Sequence, residues 1–113
     1  MTKRIALAAA AMLAACAPAI TPPASSATTA AADGRQVFNT YCLQCHSSTT
    51  NDAKVGPGLK GLFKTGKMPA SGTPVTDASV RNQILKGGNG MPGFEGTIEA
   101  ADLDALIAYL KTL

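Results

Sequence analysis

Trp is absent from this chain, and aromatic residues are down to two Tyr and three Phe in 113 residues. That length holds one domain at most, and its own side chains are thin material for a self-sufficient core. There is one His, so a pair of imidazoles from a single molecule is excluded. Of the three Cys, Cys16 belongs to the N-terminal segment; no second spaced pair remains, which excludes a four-ligand structural zinc site. No alternating β-branched strand lies near Cys42, so the strand–helix–strand setting of a thioredoxin-like site is missing. A strong charge imbalance is missing too. With Lys3 and Arg4 set aside, eight basic residues face seven acidic ones, a net of +1, which is no footprint for nucleic acid.

What is present centres on Cys42-Leu43-Gln44-Cys45-His46, a C-x-x-C-H sequence of the kind that carries haem. Two thiols two residues apart on a helical turn reach the vinyl groups along one edge of a porphyrin and become thioethers. The adjacent imidazole then supplies one axial bond to iron. A disulfide between the same two Cys would staple almost nothing, because its stabilisation grows with loop length. A buried porphyrin also supplies apolar surface that a domain of this size lacks.

The N-terminus reads as an export signal. Met1-Thr2-Lys3-Arg4 is basic, and Ile5 to Ala15 is an apolar run too short to span a bilayer. Leu13-Ala14-Ala15-Cys16 resembles the lipobox of bacterial lipoproteins, which implies cleavage before Cys16 and lipidation of that residue. The competing reading is an ordinary signal cut near Ala30-Ala31-Ala32, with Cys16 incidental. The expected division is a signal over 1–15, a lipidated Cys16 with a flexible tether to residue 32, and a folded domain over 33–113. Apart from Ile20, Ala17 to Ala32 is Ala, Pro, Ser and Thr, uncharged and without periodicity. About 16 flexible residues reach roughly 20–24 Å.

Within the domain Asp33 is the expected N-cap of a first helix from Gly34 to about Cys45, with Val37, Phe38, Tyr41 and Cys42 as its apolar stripe. A polar loop follows His46, and Val55-Gly56-Pro57-Gly58-Leu59 turns the chain. Pro57 has no N–H, but its carbonyl accepts. Near His46 it can take the Nδ1 proton and fix which nitrogen meets a metal. Leu59 to Phe63 suits a brief helical turn, and Lys64 to Pro74 a loop. Thr76 caps a helix over Asp77 to Lys86 that turns Val80 and Ile84 inward and stops at Gly87. Thr97 is the expected cap of the last helix, whose Leu103, Leu106, Ile107 and Leu110 share one face, with Lys111 at its negative end. These elements make the chain all-α.

With a single His, the second axial position falls to Met, Lys, water or nothing. Met1 and Met12 leave with the signal, so the methionines are Met68 and Met91, each followed by Pro. Local sequence does not separate them. The setting favours Met91, because Gly87-Gly88-Asn89-Gly90 brings backbone and thioether to a flat group without side-chain obstruction, whereas Met68 lies in a Lys-flanked loop.

From Asp33 to Leu113 the chain resembles the class I cytochromes c of the short bacterial kind. The motifs that carry the resemblance are Gly34-x-x-x-Phe38, Cys42-x-x-Cys45-His46, Gly56-Pro57-x-Leu59, Gly90-Met91-Pro92-x-Phe94 and Leu106-Ile107-Ala108-Tyr109-Leu110. The resemblance implies a small cytochrome c fold around one covalent haem c. Its first and last helices cross where Gly34 and Phe38 meet Leu106 and Tyr109, the Pro57 carbonyl rests on His46, and the Met91 sulfur is on iron. The absent Trp departs from the pattern, since in some relatives it bonds a haem propionate.

The function expected from these features is one-electron transfer by a monomeric, non-enzymatic carrier with His46 and Met91 as ligands. It would shuttle between a respiratory complex or exported dehydrogenase and an oxidase or other acceptor, in the bacterial periplasm, anchored to the membrane through Cys16. Two alternatives stand beside it. One is an open-site haem protein that binds oxygen, peroxide or nitric oxide, and the other a haem subunit of a larger dehydrogenase. Lys54, Lys60, Lys64, Lys67, Arg81 and Lys86 share their stretch with Asp77 alone, while Glu95, Glu99, Asp102 and Asp104 crowd the C-terminal part. Either this is solvated surface, or it is a basic rim that steers docking onto an acidic partner.

Overall fold

The computed structural model describes residues 17–18 and 26–113. Their elements run α1 (Ser26–Tyr41), α2 (Leu62–Thr65), α3 (Asp77–Lys86) and α4 (Ala100–Leu110). Among the described residues no strand forms; two isolated antiparallel bridges, Lys67 with Pro74 and Gly88 with Met91, pin loops. The all-α expectation holds. The signal, Cys16 and most of the tether lie outside the described residues.

Three helix starts differ from the sequence reading, the short α2 beginning at Leu62 rather than Leu59 and running on to Thr65, into the expected loop. α1 begins at Ser26, so Asp33 is an interior residue rather than a cap, and the end of the expected tether is helical. The reason is propagation. Ala is the strongest helix former, and extending a helix whose nucleus is already held by packing adds a hydrogen bond for each residue fixed. α1 also ends at Tyr41, not near Cys45. Beyond it Cys42 and Leu43 both donate to the Phe38 carbonyl, at 2.8 and 3.0 Å, and the chain tightens into a turn. α4 is capped at Glu99, without a side-chain bond, and not at Thr97. Thr97 instead donates its backbone N–H to Phe94 in the preceding turn. α3 follows the expectation, and Thr76 and Ser79 exchange side-chain and backbone bonds in a capping box.

The core is built by α1 crossing α4. Phe38 and Leu106 are both 0 % exposed, joined by Val37, Leu103, Ile107 and Leu110. The Phe38 and Tyr109 rings meet at 5.6 Å between centroids, tilted by 60°. At Gly34 the backbones approach so closely that a Cβ would strike the Ala105 carbonyl and come 2.8 Å from the Tyr109 Cβ. Val80 and Ile84 of α3 close the core from the side, as their spacing implied, with Ile98 added from the turn before α4. Tyr41 is half-buried and meets Phe94 edge-on at 5.8 Å.

Candidate functional site

The turn that ends α1 is what presents the Cys pair. Cys45 and His46 both donate backbone N–H groups to the Cys42 carbonyl, at 3.0 and 2.9 Å, so both thiols and the imidazole come off a single turn. All three line one cavity, together with Phe38, Leu62, Ile84 and Leu110 of the core. Cys42 and Cys45 are free thiols. Burial, helped by the neighbouring Cys45, pushes the Cys42 thiol up to about 11.

His46 is buried, and its Nδ1 lies 2.7 Å from the Pro57 carbonyl oxygen. A carbonyl only accepts, so Nδ1 carries the proton and donates, and the Nε2 lone pair is left for a metal. The chain holds this arrangement from both sides. The Gly56 backbone N–H donates to the Cys45 carbonyl at 2.8 Å, and Leu59 N–H to the Ser47 carbonyl at 2.8 Å. A Cβ on Gly56 would sit 2.5 Å from His46 Cε1, so the ring packs flat on bare backbone.

Met91 lines the same cavity. α3 ends at Gly87, whose backbone φ of 68° belongs to the left-handed region. Gly88 and Met91 then exchange two backbone hydrogen bonds of 3.0 Å each, folding the chain back on the helix end. Met68 also faces the cavity. Its Lys-flanked loop is pinned by backbone bonds: Met68 N–H donates to the Thr73 carbonyl and the Met68 carbonyl accepts from Gly72 N–H, both at 2.8 Å. What separates the two thioethers is Gln83, whose Nε2 donates to Met91 Sδ at 3.7 Å. The sequence reading passed over Gln83. The signal available was a polar residue three positions after Val80, on the inward face of α3.

The residues fit a haem. A porphyrin needs an apolar slot with thiols at one edge, an imidazole with its outer nitrogen already bonded, and a soft second donor. The cavity offers these, and Gly88, Asn89 and Gly90 contribute to its wall, where added Cβ atoms on Gly88 and Gly90 would find open space. Val55, which lines the cavity, is 81 % exposed, and Leu43, beside Cys42 in the chain, 41 %.

The expected basic rim is only partly realised. Arg81 pairs with Asp104 at 2.6 Å, Lys86 with Glu95 at 2.7 Å and Lys111 with Asp77 at 2.8 Å. Lys54 donates to the Leu43 carbonyl and Lys64 to that of Leu113. Among the described residues Lys54, Lys60 and Lys67 make no ion pair.

Comparison with known proteins agrees with this geometry. Residues 29–110 match the family described as cytochrome C oxidase, cbb3-type, subunit III. Cytochrome c2 iso-1 of Magnetospirillum molischianum is 34 % identical over 93 residues, covering 67 % of this chain and 92 % of its own. Cytochrome c6 of Microcystis aeruginosa is 30 % identical over 80 residues, 69 % of this chain and 90 % of its own. Cytochrome c of Kluyveromyces lactis is 42 % identical over 53 residues, but that match spans 46 % of this chain and about half, 48 %, of the yeast protein. Cytochromes c carry a covalent haem c, typically one, and the helical globule described above is the small cytochrome c fold. A match running from α1 to the last residue of α4, with bacterial relatives aligned over nine-tenths of their own length, places this chain in the cytochrome c family, in the group described as cytochrome c oxidase, cbb3-type, subunit III.

Proposed function

We propose that this protein is a one-electron carrier in which Cys42 and Cys45 hold one haem c, and His46 and Met91 are its axial ligands. The observation that carries the reading is the 2.7 Å bond from His46 Nδ1 to the Pro57 carbonyl. It supports an imidazole already oriented for a metal, in a cavity that Met91 also lines. The haem supplies one-electron exchange. The chain's part is to keep both axial donors in place, so that neither oxidation state leaves a position open to substrate, and to exclude water with Phe38, Leu62 and Ile84. Apolar wrapping and a thioether donor disfavour the ferric charge and raise the potential.

The test is a spectrum. Ferric protein with Met91 bound has a weak far-red band, and Met91→Ala is expected to abolish it and to open the ferrous protein to rapid carbon monoxide binding. Rapid carbon monoxide binding by the unaltered protein would instead favour the open-site alternative. The match to an oxidase subunit family favours a second reading, in which this domain works as the haem-bearing part of a larger membrane assembly. Stoichiometric co-purification with other subunits would establish that reading, and an isolated monomer would remove it.

The partners we infer are redox proteins with acidic docking faces. Lys54, Lys60 and Lys67 adjoin the cavity-lining Val55, Leu59 and Met68 in sequence, which supports docking at the cavity mouth. The place we infer is the bacterial periplasm, with the protein anchored through a lipidated Cys16. The N-terminal sequence supports this, and the mass of the mature protein tests it.

A further inference from the structure

The turn that leads into Met91 holds an Asn–Gly pair that the electron-carrying role does not use. Asn89 and Gly90 stand between Gly88 and Met91, whose backbones bond each other at 3.0 Å in both directions. Both have positive φ, 54° and 87°, as in a two-residue hairpin turn, where Asn–Gly is the favoured sequence. Among the described residues Asn89 is the one non-glycine residue in that region. Both residues are exposed, and among the described residues neither N–H donates to another backbone group. Gly90 has no side chain to cover its nitrogen, and a Cβ there would meet nothing within 4 Å. The other Asn differ. Asn39 and Asn82 lie inside α1 and α3, and Asn51 precedes Asp52, so Asn89 alone is followed by Gly.

We propose that Asn89 is a site of spontaneous covalent modification, and that its isoaspartyl form releases Met91. Hydroxide removes the Gly90 amide proton, and the nitrogen attacks Asn89 Cγ. The N–Cγ bond forms, the Cγ–Nδ2 bond breaks, and ammonia leaves with a proton from water. Water then opens the five-membered imide at one carbonyl or the other, giving Asp or isoaspartate; no electrons are transferred. In isoaspartate the main chain runs through Cβ and Cγ, so the turn is one backbone atom longer. Gly88 and Met91 can then no longer pair in register, and a new carboxylate stands at the cavity wall that Asn89 lines. Ring closure needs the two 3.0 Å bonds of the turn to open first, so the reaction captures molecules in which the turn has let go. The release of Met91 from iron rests on Met91 being the axial ligand.

The experiment ages the full haem-loaded protein at mildly alkaline pH. Isoaspartate at position 89 is followed by peptide mass and isoaspartyl methyltransferase labelling, beside the ferric far-red band. Wild type is expected to gain isoaspartate at 89 ahead of Asn39, Asn51 and Asn82, faster as pH rises, and to lose the band in step with it. Asn89→Gly has no carboxamide and keeps a positive φ without steric cost, so its band is expected to survive the same period. Freshly prepared Asn89→Asp carries the charge without the longer main chain and is expected to keep the band as well. No isoaspartate at 89, or none ahead of the other Asn, would overturn the site. Isoaspartate at 89 with an undiminished band would overturn the release of Met91. So would loss of the band in aged Asn89→Gly at the wild-type rate, or its absence from fresh Asn89→Asp. If unaged Met91→Ala kept the band, the ligand assignment would have failed and the release with it, while the isoaspartate measurement would still decide the modification site.

Discussion

At the scale of single residues, the site is built from groups whose chemistry leaves few options. His46 has to donate through Nδ1 because the atom facing it is a carbonyl, and Pro57 has no N–H with which to compete. Burial, with Cys45 beside it, pushes the Cys42 thiol up to about 11, and both Cys face the cavity that His46 lines. The prediction at this scale concerns attachment. In Cys42→Ala or Cys45→Ala one thioether remains, so the haem is expected to stay with the protein in acidic organic solvent. In the double variant it is expected to extract fully. Extraction from either single variant would show that the two thiols do not both hold the group. That Cys42, Cys45 and His46 come together on one cavity wall was legible because they stand within five residues of one turn. Gln83 was legible only as a polar residue on the inward face of α3; nothing in its own stretch of sequence says that Met91, eight positions on, returns to it.

At the scale of elements, the junction between α1 and α4 decides the fold. Gly34 is the point of closest approach, and a side chain there meets backbone, which no rotamer change relieves. Two effects oppose each other in Gly34→Ala. Helix propensity gains about 1 kcal/mol, whereas overpacking at a tight junction costs about 1–3 kcal/mol. Because the contact is with the Ala105 carbonyl rather than with a flexible side chain, the second is expected to win, with a net loss of about 1 kcal/mol read as a lower Tm. A raised Tm would mean that the helices separate at no cost. The apolar faces of α3 and α4 could be read from period alone, since Val80, Ile84, Leu103, Leu106, Ile107 and Leu110 are all buried. Helix ends were less legible. Asp33 and Thr97 are good caps by residue type, but α1 propagates back through Ala-rich sequence to Ser26, and α4 waits until Ala100.

At the scale of the whole molecule, charge is redistributed by folding. Arg81, Lys86 and Lys111 bridge elements through Asp104, Glu95 and Asp77, and Lys111 also sits 5.7 Å from the centre of the Phe63 ring. These pairs are exposed, so each is worth about 1 kcal/mol or less. Their larger effect is to remove three cations from the field outside the protein. Among the described residues the lysines without an ion pair, Lys54, Lys60 and Lys67, are the ones expected to steer a partner. Association with an acidic redox partner is therefore expected to slow as ionic strength rises. Lys54→Glu is expected to slow it several-fold, whereas Lys86→Glu is expected to matter less. Rates indifferent to salt would remove the docking rim. The sequence by itself determined the Cys42–His46 turn, the helical class and the apolar faces, because each depends on spacing within a few residues of one segment. Which lysines stay unpaired, where α1 begins, and which methionine receives an amide depend on contacts between segments far apart in the chain. Those contacts exist only once α1, α3 and α4 have packed, so the tertiary structure alone decided them.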